Sequence, residues 1–234
     1  MVMKSSRSQA HKPSHLGHRA RLRERFSQAQ GIGLADYELL ELLLFLAIPR
    51  GDTKPIAKSL LQKFGSLAAL LKAEQGLILE TPGVGLGVLH VIQLMQAFMA
   101  KVLQQEMMSK PILASYQSVL DYCHATMAYD QRETVRLLFL DRKNQVIADE
   151  VQQTGTVDHT PLYPREVVKR ALDLGASALI IIHNHPSGDP TPSRGDIETT
   201  LKVQQAASSL GIEIHDHLII GKGRHSSLKS MGLM

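Results

Sequence analysis

Residues 180–196 read IIIHNHPSGDPTPSRGD and combine a strand, a loop and the start of a helix in one short stretch. The unbroken apolar run over 178–182 predicts a strand that is buried on both faces. His183 and His185 follow at the end of this strand. Their spacing of two positions places both imidazole rings on one face. A loop stiffened by three prolines then leads to Asp196, at the start of the next predicted helix.

Two imidazoles and one carboxylate form a ligand set that suits Zn²⁺, and three protein ligands leave a fourth position for water. A water on zinc has a pKa lowered to about 7, which makes it a nucleophile at neutral pH. Non-haem iron also accepts two histidines and one carboxylate. Without any metal, the histidines can be polar residues at a strand end, and Ser193 and Asp196 can be caps of the following helix. Residue types and spacing alone leave these readings open.

The C-terminal half has the pattern of an α/β domain. Strands are predicted over 134–140, 146–152, 178–182 and 212–220, and helices over 118–127, 164–174 and 196–210. The first two strands are separated by the turn sequence DRKN and therefore form a hairpin. We predict one α/β domain with a mixed sheet over 112–234.

The N-terminal half lacks strand patterns and is predicted to be all-helical over 30–106. Helices are expected over 36–46, 56–64, 67–71 and 88–106. The polar segment 107–111 ends in a proline and is typical of a domain boundary. The fold class is therefore α+β overall, with a helical domain followed by an α/β domain.

The first 29 residues are predicted to be a basic, flexible tail. Between Lys4 and Arg25, seven Lys or Arg residues stand against a single acid, Glu24. One interpretation of this positive charge is a solvated tail, and the other is an arm that attracts phosphate groups. No aromatic residue precedes Phe26, which argues against base stacking by the tail.

The composition is that of a soluble cytoplasmic protein. The chain has 234 residues, of which 44% are hydrophobic and 21% charged. No uninterrupted apolar run reaches the roughly 18 residues of a membrane span, and the N-terminus has no apolar signal region. The single cysteine, Cys123, excludes a disulfide within the chain and favours the cytosol. We expect no membrane partner.

The spacing of the candidate ligands resembles the JAMM motif of the MPN domain. His183, His185, Ser193 and Asp196 match its order of His-x-His, seven residues, Ser, two residues and Asp. The sequence HNHPSGDPTPS resembles the bacterial RadC family in particular, as do the sequences YPRE at 163–166 and DHLIIG at 216–221. The resemblance implies an MPN (JAB, cytidine-deaminase-like) fold for the α/β domain.

The same resemblance implies a zinc metallopeptidase or isopeptidase that acts on an unidentified peptide or protein. One zinc ion per chain would be held by His183, His185 and Asp196, and Ser193 would help to stabilise the oxyanion. MPN enzymes also use an upstream glutamate as general base, and Glu133 holds that place, just before the first strand. The alternative base is Glu166, which can instead be a favourable charge in the first turn of a helix.

A second pair, His215 and His217, has no carboxylate at ligand spacing, and we expect supporting roles for both. In the helical half, residues 81–85 (TPGVG) resemble a helix-hairpin-helix turn, which can offer backbone N–H groups to a phosphate. DNA is therefore a possible partner of residues 30–106 and the basic tail. The alternative function is a non-catalytic DNA-associated module. A zinc hydrolase of nucleic acids or nucleobases is disfavoured because the deaminase signature of His-x-Glu with Pro-Cys-x-x-Cys is absent.

Overall fold

The computed structural model describes residues 15–114, 116–154 and 162–234. The chain forms two compact units that divide between Gln96 and Ala97. This division lies inside a long helix and before the polar segment where the sequence places the boundary. The end of that helix belongs to the second unit because Met107 is fully buried in the core of that unit.

The first unit is all-helical, as predicted. Its helices are α1 (His15–Ala29), α2 (Asp36–Ala47), α3 (Lys54–Phe64), α4 (Leu67–Leu70), α5 (Gln75–Leu79) and the start of α6 (Leu86–Met108). Their common core contains Leu40, Leu44, Leu60 and Ile92, each at most 2% exposed. The short helix α5 was not predicted, because five residues carry too little periodicity to be recognised.

Helix α1 occupies part of the segment that the sequence predicts to be a flexible tail. Leu22 is 2% exposed, and the Arg25 guanidinium donates to the Glu38 carboxylate at 2.7 Å. Arg19 donates to backbone carbonyls after helix α2, including that of Ile48 at 2.8 Å. The prediction of a flexible tail is therefore wrong over helix α1, because its arginines have partners distant in sequence. Residues 1–14 lie outside the described residues.

Helix α6 is, by length and composition, the one helix among the described residues that could cross a membrane. Its most apolar window has a mean hydropathy of 1.6, and 17% of that window is buried. Leu94, Phe98 and Val102 recur along one side and are 57%, 63% and 58% exposed. The helix thus displays an apolar stripe on its surface.

The second unit is built on a five-stranded mixed sheet in the order β2-β1-β3-β4-β5. The strands are β1 (Thr134–Leu140), β2 (Val146–Thr154), β3 (Ala178–Asn184), β4 (Glu213–Ile220) and β5 (His225–Ser227). The β3–β4 pair is parallel and the other pairs are antiparallel. The predicted hairpin and mixed sheet are confirmed, while the three-residue strand β5 was missed.

Helices cover both faces of this sheet. They are α7 (Tyr116–Met127), α8 (Pro164–Asp173) and α9 (Arg194–Ser208), together with a short 3₁₀ turn at Ile112–Ala114. Ile180 and Ile182 of β3 pack towards the cluster that contains α7. Leu179 and Ile181 pack towards the cluster that contains α8 and α9. Since side chains alternate along a strand, His183 continues the face that is covered by α8 and α9.

The docking of helix α1 can be tested with Leu22→Ala. Removal of this buried side chain should cost about 2–5 kcal/mol locally and release the helix. Tryptic cleavage at the arginines of α1, followed by mass spectrometry, should therefore be faster in the variant than in the wild type. Gln28→Ala changes an exposed residue of the same helix and should leave the cleavage rate unchanged. Equal rates for the two variants would contradict the docked helix.

Candidate metal centre

The structure brings His183, His185 and Asp196 together at one end of the sheet. Nε2 of His183 lies 2.9 Å from Nε2 of His185. The two carboxylate oxygens of Asp196 lie 3.4 Å from Nε2 of His183 and 3.5 Å from Nε2 of His185. Among the described residues, this is the one cluster of three His, Cys, Asp or Glu side chains with ligand atoms close enough to share a metal ion.

The loop after β3 is shaped by close backbone contacts. The His185 N–H donates to the Ile220 carbonyl at 3.0 Å, which extends the pairing of β3 with β4 past the strand end. Gly188 has a left-handed φ of 87° and turns the chain back. A side chain at Gly221 would collide with the Gly188 carbonyl, so the loop can approach β4 only at a glycine.

In both His183 and His185, the Nδ1 atom of the ring contacts a neighbouring polar group. Nδ1 of His185 donates to the Asp189 carbonyl at 2.8 Å, so Nε2 carries the lone pair when the ring is neutral. Nδ1 of His183 lies 2.7 Å from Nε2 of His217. In each case Nε2 faces the other ring and the Asp196 carboxylate. Two ring nitrogens and the carboxylate oxygens therefore converge on one point, an arrangement that fits a bound cation.

The charges of the cluster match the protonation states that metal ligands require. Burial lowers the pKa of His183 to about 4, so the ring is neutral at pH 7. Burial alone would raise the pKa of Asp196, but the contacts with His185, His183 and Ser193 outweigh it and hold that pKa well below its usual range. Asp196 is therefore ionised. The pKa of His185 is raised, first by its contact with Asp196, so of the two rings this one binds a proton more readily.

Ser193 and Asp196 also cap helix α9. The Ser193 hydroxyl oxygen accepts from the Asp196 N–H at 3.1 Å, and the Ser193 N–H donates to Asp196 Oδ2 at 2.7 Å. This is a capping box, in which each side chain satisfies a backbone N–H of the other residue. Capping and metal binding are therefore compatible roles for Asp196. The predicted role of Ser193 at the oxyanion stays a prediction.

The two candidate bases occupy different surroundings. Glu133 immediately precedes β1, in which Val135 pairs with His183, so the register continued outward places Glu133 opposite His185. The negative charge of Glu133 contributes to the raised pKa of His185. Glu166 is exposed at the start of α8 and forms an ion pair with Arg165 at 2.9 Å. The structure thus brings Glu133, and not Glu166, to the ligand cluster.

Asn184, between the two histidines, holds the segment that carries Glu133. Its Oδ1 accepts from the Thr134 N–H at 2.9 Å, and its Nδ2 donates to the Arg132 carbonyl at 3.1 Å. The amide is 1% exposed and therefore bridges the backbone on both sides of Glu133. This residue was not predicted from the sequence, because only the pairing of β1 with β3 brings it to that segment.

The two histidines of the second pair, His215 and His217, lie in different surroundings. His217 is 4% exposed and packs against His183. His215 instead lies with Nε2 2.6 Å from Oδ1 of Asn144. His217 also contacts Thr200, a residue that was not predicted from the sequence. The available signal was the spacing of Thr200, one helical turn after Asp196 on the same face.

The predicted phosphate-binding turn lies in the other unit. Gly83 has a left-handed φ of 83°, and the space around Gly85 is open. Lys63, which could supply positive charge, is already paired with Glu80 at 3.0 Å. DNA binding by residues 30–106 therefore stays a prediction from the sequence.

The capping role of Ser193 predicts a defined loss of stability. Ser193→Ala removes the acceptor for the Asp196 N–H and should lower the free energy of unfolding by about 1 kcal/mol. Ser193→Thr keeps a hydroxyl and should stay close to the wild type. Urea unfolding of the three proteins measures the difference. An alanine variant as stable as the threonine variant would contradict the cap.

One comparison with known proteins bears on this site. Residues 113–233 match the sequence profile of the RadC-like JAB domain. The matched region covers more than half of the 234 residues and contains all three candidate ligands as well as Glu133 and Ser193. Its extent also agrees with the α/β unit and its mixed sheet. On its fold and on this match, the chain belongs to the RadC-like JAB domain family.

Proposed function

We propose that this protein is a zinc-dependent hydrolase of amide bonds, a metallopeptidase or isopeptidase with a peptide or protein substrate. The observation that carries the proposal is the convergence of His183 Nε2, His185 Nε2 and the Asp196 carboxylate on one point. Two histidines and a carboxylate leave a coordination position for water, as in catalytic zinc sites.

The distances in the cluster support a tetrahedral ion. Ligand atoms about 2.0–2.1 Å from zinc are roughly 3.3 Å apart at tetrahedral angles. Asp196 Oδ1 lies 3.4 Å from Nε2 of His183 and Oδ2 lies 3.5 Å from Nε2 of His185, so each carboxylate oxygen is close to that separation from one ring. The two histidine nitrogens, at 2.9 Å, are somewhat closer and would separate slightly around an ion.

The roles of the surrounding residues follow from their positions. Zinc at this site would supply a water of lowered pKa and a Lewis acid for the amide carbonyl. Glu133 would accept a proton from the attacking water and deliver it to the leaving amine. The Ser193 oxygen accepts from the Asp196 N–H, and its hydroxyl proton is not needed for the cap. The hydroxyl would therefore be able to donate a hydrogen bond to the developing oxyanion.

The metal content of the purified protein tests the site. We expect about one zinc per chain by elemental analysis, with most of it lost in His183→Ala. His215→Ala removes a histidine that contacts Asn144 and not the cluster, so zinc should be retained. Because a proton on His185 competes with the metal and its pKa is raised, zinc affinity should fall as the pH is lowered through that pKa. Unchanged zinc in His183→Ala would overturn the assignment.

The choice of base is tested by Glu133→Gln, which keeps the shape of the side chain and removes its basicity. Zinc content should stay the same, while turnover of a cleavable peptide, found by screening a peptide library, should fall by about 10²-fold or more. Glu166→Gln is the matched control and should have a much smaller effect. The reverse order of the two variants would move the role to Glu166, and wild-type turnover in Glu133→Gln would exclude Glu133 as base.

A further inference from the structure

We propose that Thr200 and His217 act as positioning residues that set the tautomer of His183, so that its Nε2 keeps the lone pair a metal ion needs. The proposal rests on the proposed metal site. It deepens that function, because it assigns a role to residues outside the candidate ligand set. The observation that carries it is a continuous chain of hydrogen bonds from the backbone of helix α9 to the ring of His183.

The chain has three links, all inside the protein. Thr200 Oγ1 lies 2.6 Å from the Asp196 carbonyl oxygen and 2.5 Å from Nδ1 of His217. Nε2 of His217 lies 2.7 Å from Nδ1 of His183. Thr200, His217 and His183 are 0%, 4% and 2% exposed. Bulk water therefore does not compete for these groups, and each must be satisfied by its neighbours.

The direction of the chain follows from the first link. A carbonyl oxygen only accepts, and two oxygens 2.6 Å apart require a proton between them, so the Thr200 hydroxyl donates to the Asp196 carbonyl. A hydroxyl has one proton, so its oxygen accepts from Nδ1–H of His217. Nε2 of neutral His217 then carries the lone pair and accepts from Nδ1–H of His183. Neutral His183 is left with a bare Nε2, which faces His185 and Asp196.

The opposite direction would be incompatible with a metal. If Thr200 donated to His217, Nε2–H of His217 would donate to Nδ1 of His183. The proton of His183 would then be on Nε2, where it would occupy the ligand position. The carbonyl of Asp196 and the hydroxyl oxygen of Thr200 would also face each other without a proton between them. The backbone carbonyl of Asp196, one candidate ligand, thus fixes the tautomer of His183, another candidate ligand.

The decisive variant is Thr200→Val, which keeps the shape of the side chain and removes the hydroxyl. Thr200→Ser is the matched control, because it keeps the hydroxyl. The first readout is the tautomer of His183 in the metal-free protein, measured by long-range ¹H–¹⁵N NMR of ¹⁵N-histidine samples. His215, whose Nε2 contacts Asn144 and not the cluster, serves as an internal reference in the same spectrum.

We expect His183 to be the Nδ1–H tautomer in the wild type and in Thr200→Ser, and to shift towards Nε2–H in Thr200→Val while His215 stays unchanged. The second readout is the zinc Kd from competition with a chelating dye. It should rise by about 10–100-fold in Thr200→Val, as for other residues that support metal ligands, and Thr200→Ser should retain the wild-type Kd. An unchanged tautomer in Thr200→Val would overturn the proposal, even if that variant is less stable.

His217→Leu is a second variant for the case that Thr200→Val does not fold. It removes the acceptor of His183 directly, so the same loss of the Nδ1–H tautomer is expected, and an unchanged tautomer would again overturn the proposal. The two readouts separate this inference from the proposed function. A wild-type protein that binds no zinc but has the expected tautomers would contradict the metal site alone. Zinc binding by a protein whose metal-free form has Nε2–H on His183 would contradict only the proposed role of the hydrogen-bond chain through Thr200 and His217.

Discussion

The convergence of electron-pair donors at the junction of β3 and α9 is the constraint on which the rest of the site depends. Two unprotonated ring nitrogens and an ionised carboxylate would repel one another at 2.9–3.5 Å unless a proton or a metal ion lay between them. The fold nevertheless fixes these atoms from several sides. His183 is held by His217, His185 by the Asp189 carbonyl and Asp196 by the cap of α9. Such rigid support is typical of sites that are preorganised for a cation.

The same elements that build the domain also position the reacting groups. β3 lies centrally in the sheet, is buried along its whole length and ends at the two histidines. The side chain of its last residue, Asn184, forms hydrogen bonds with the backbone on both sides of Glu133. One strand therefore sets the positions of two candidate ligands and of the candidate base. A shift in the register of β1 against β3 would move Glu133 away from His185.

Much of the second unit could be predicted from the sequence because its signals are local. The apolar run of β3, the turn between β1 and β2, and the proline at the start of α8 each act over a few residues. The three candidate ligands also lie within fourteen residues, from His183 to Asp196. Helix α1 was not predicted because Leu22 is the one buried residue among its described side chains 17–29, and because the ion-pair partner of its Arg25 lies in helix α2. Asn184 and Thr200 escaped because their roles arise only from strand pairing and from packing between β4 and α9.

The central claim is that a metal ion binds between the Nε2 atoms of both histidines and the Asp196 carboxylate. Its most direct test is a crystal structure of the zinc-loaded protein with anomalous diffraction recorded at the zinc absorption edge. The account predicts one anomalous peak per chain, within bonding distance of Nε2 of His183, Nε2 of His185 and an Asp196 oxygen. A zinc-loaded crystal with no peak there, or with zinc bound elsewhere in the chain, would contradict it.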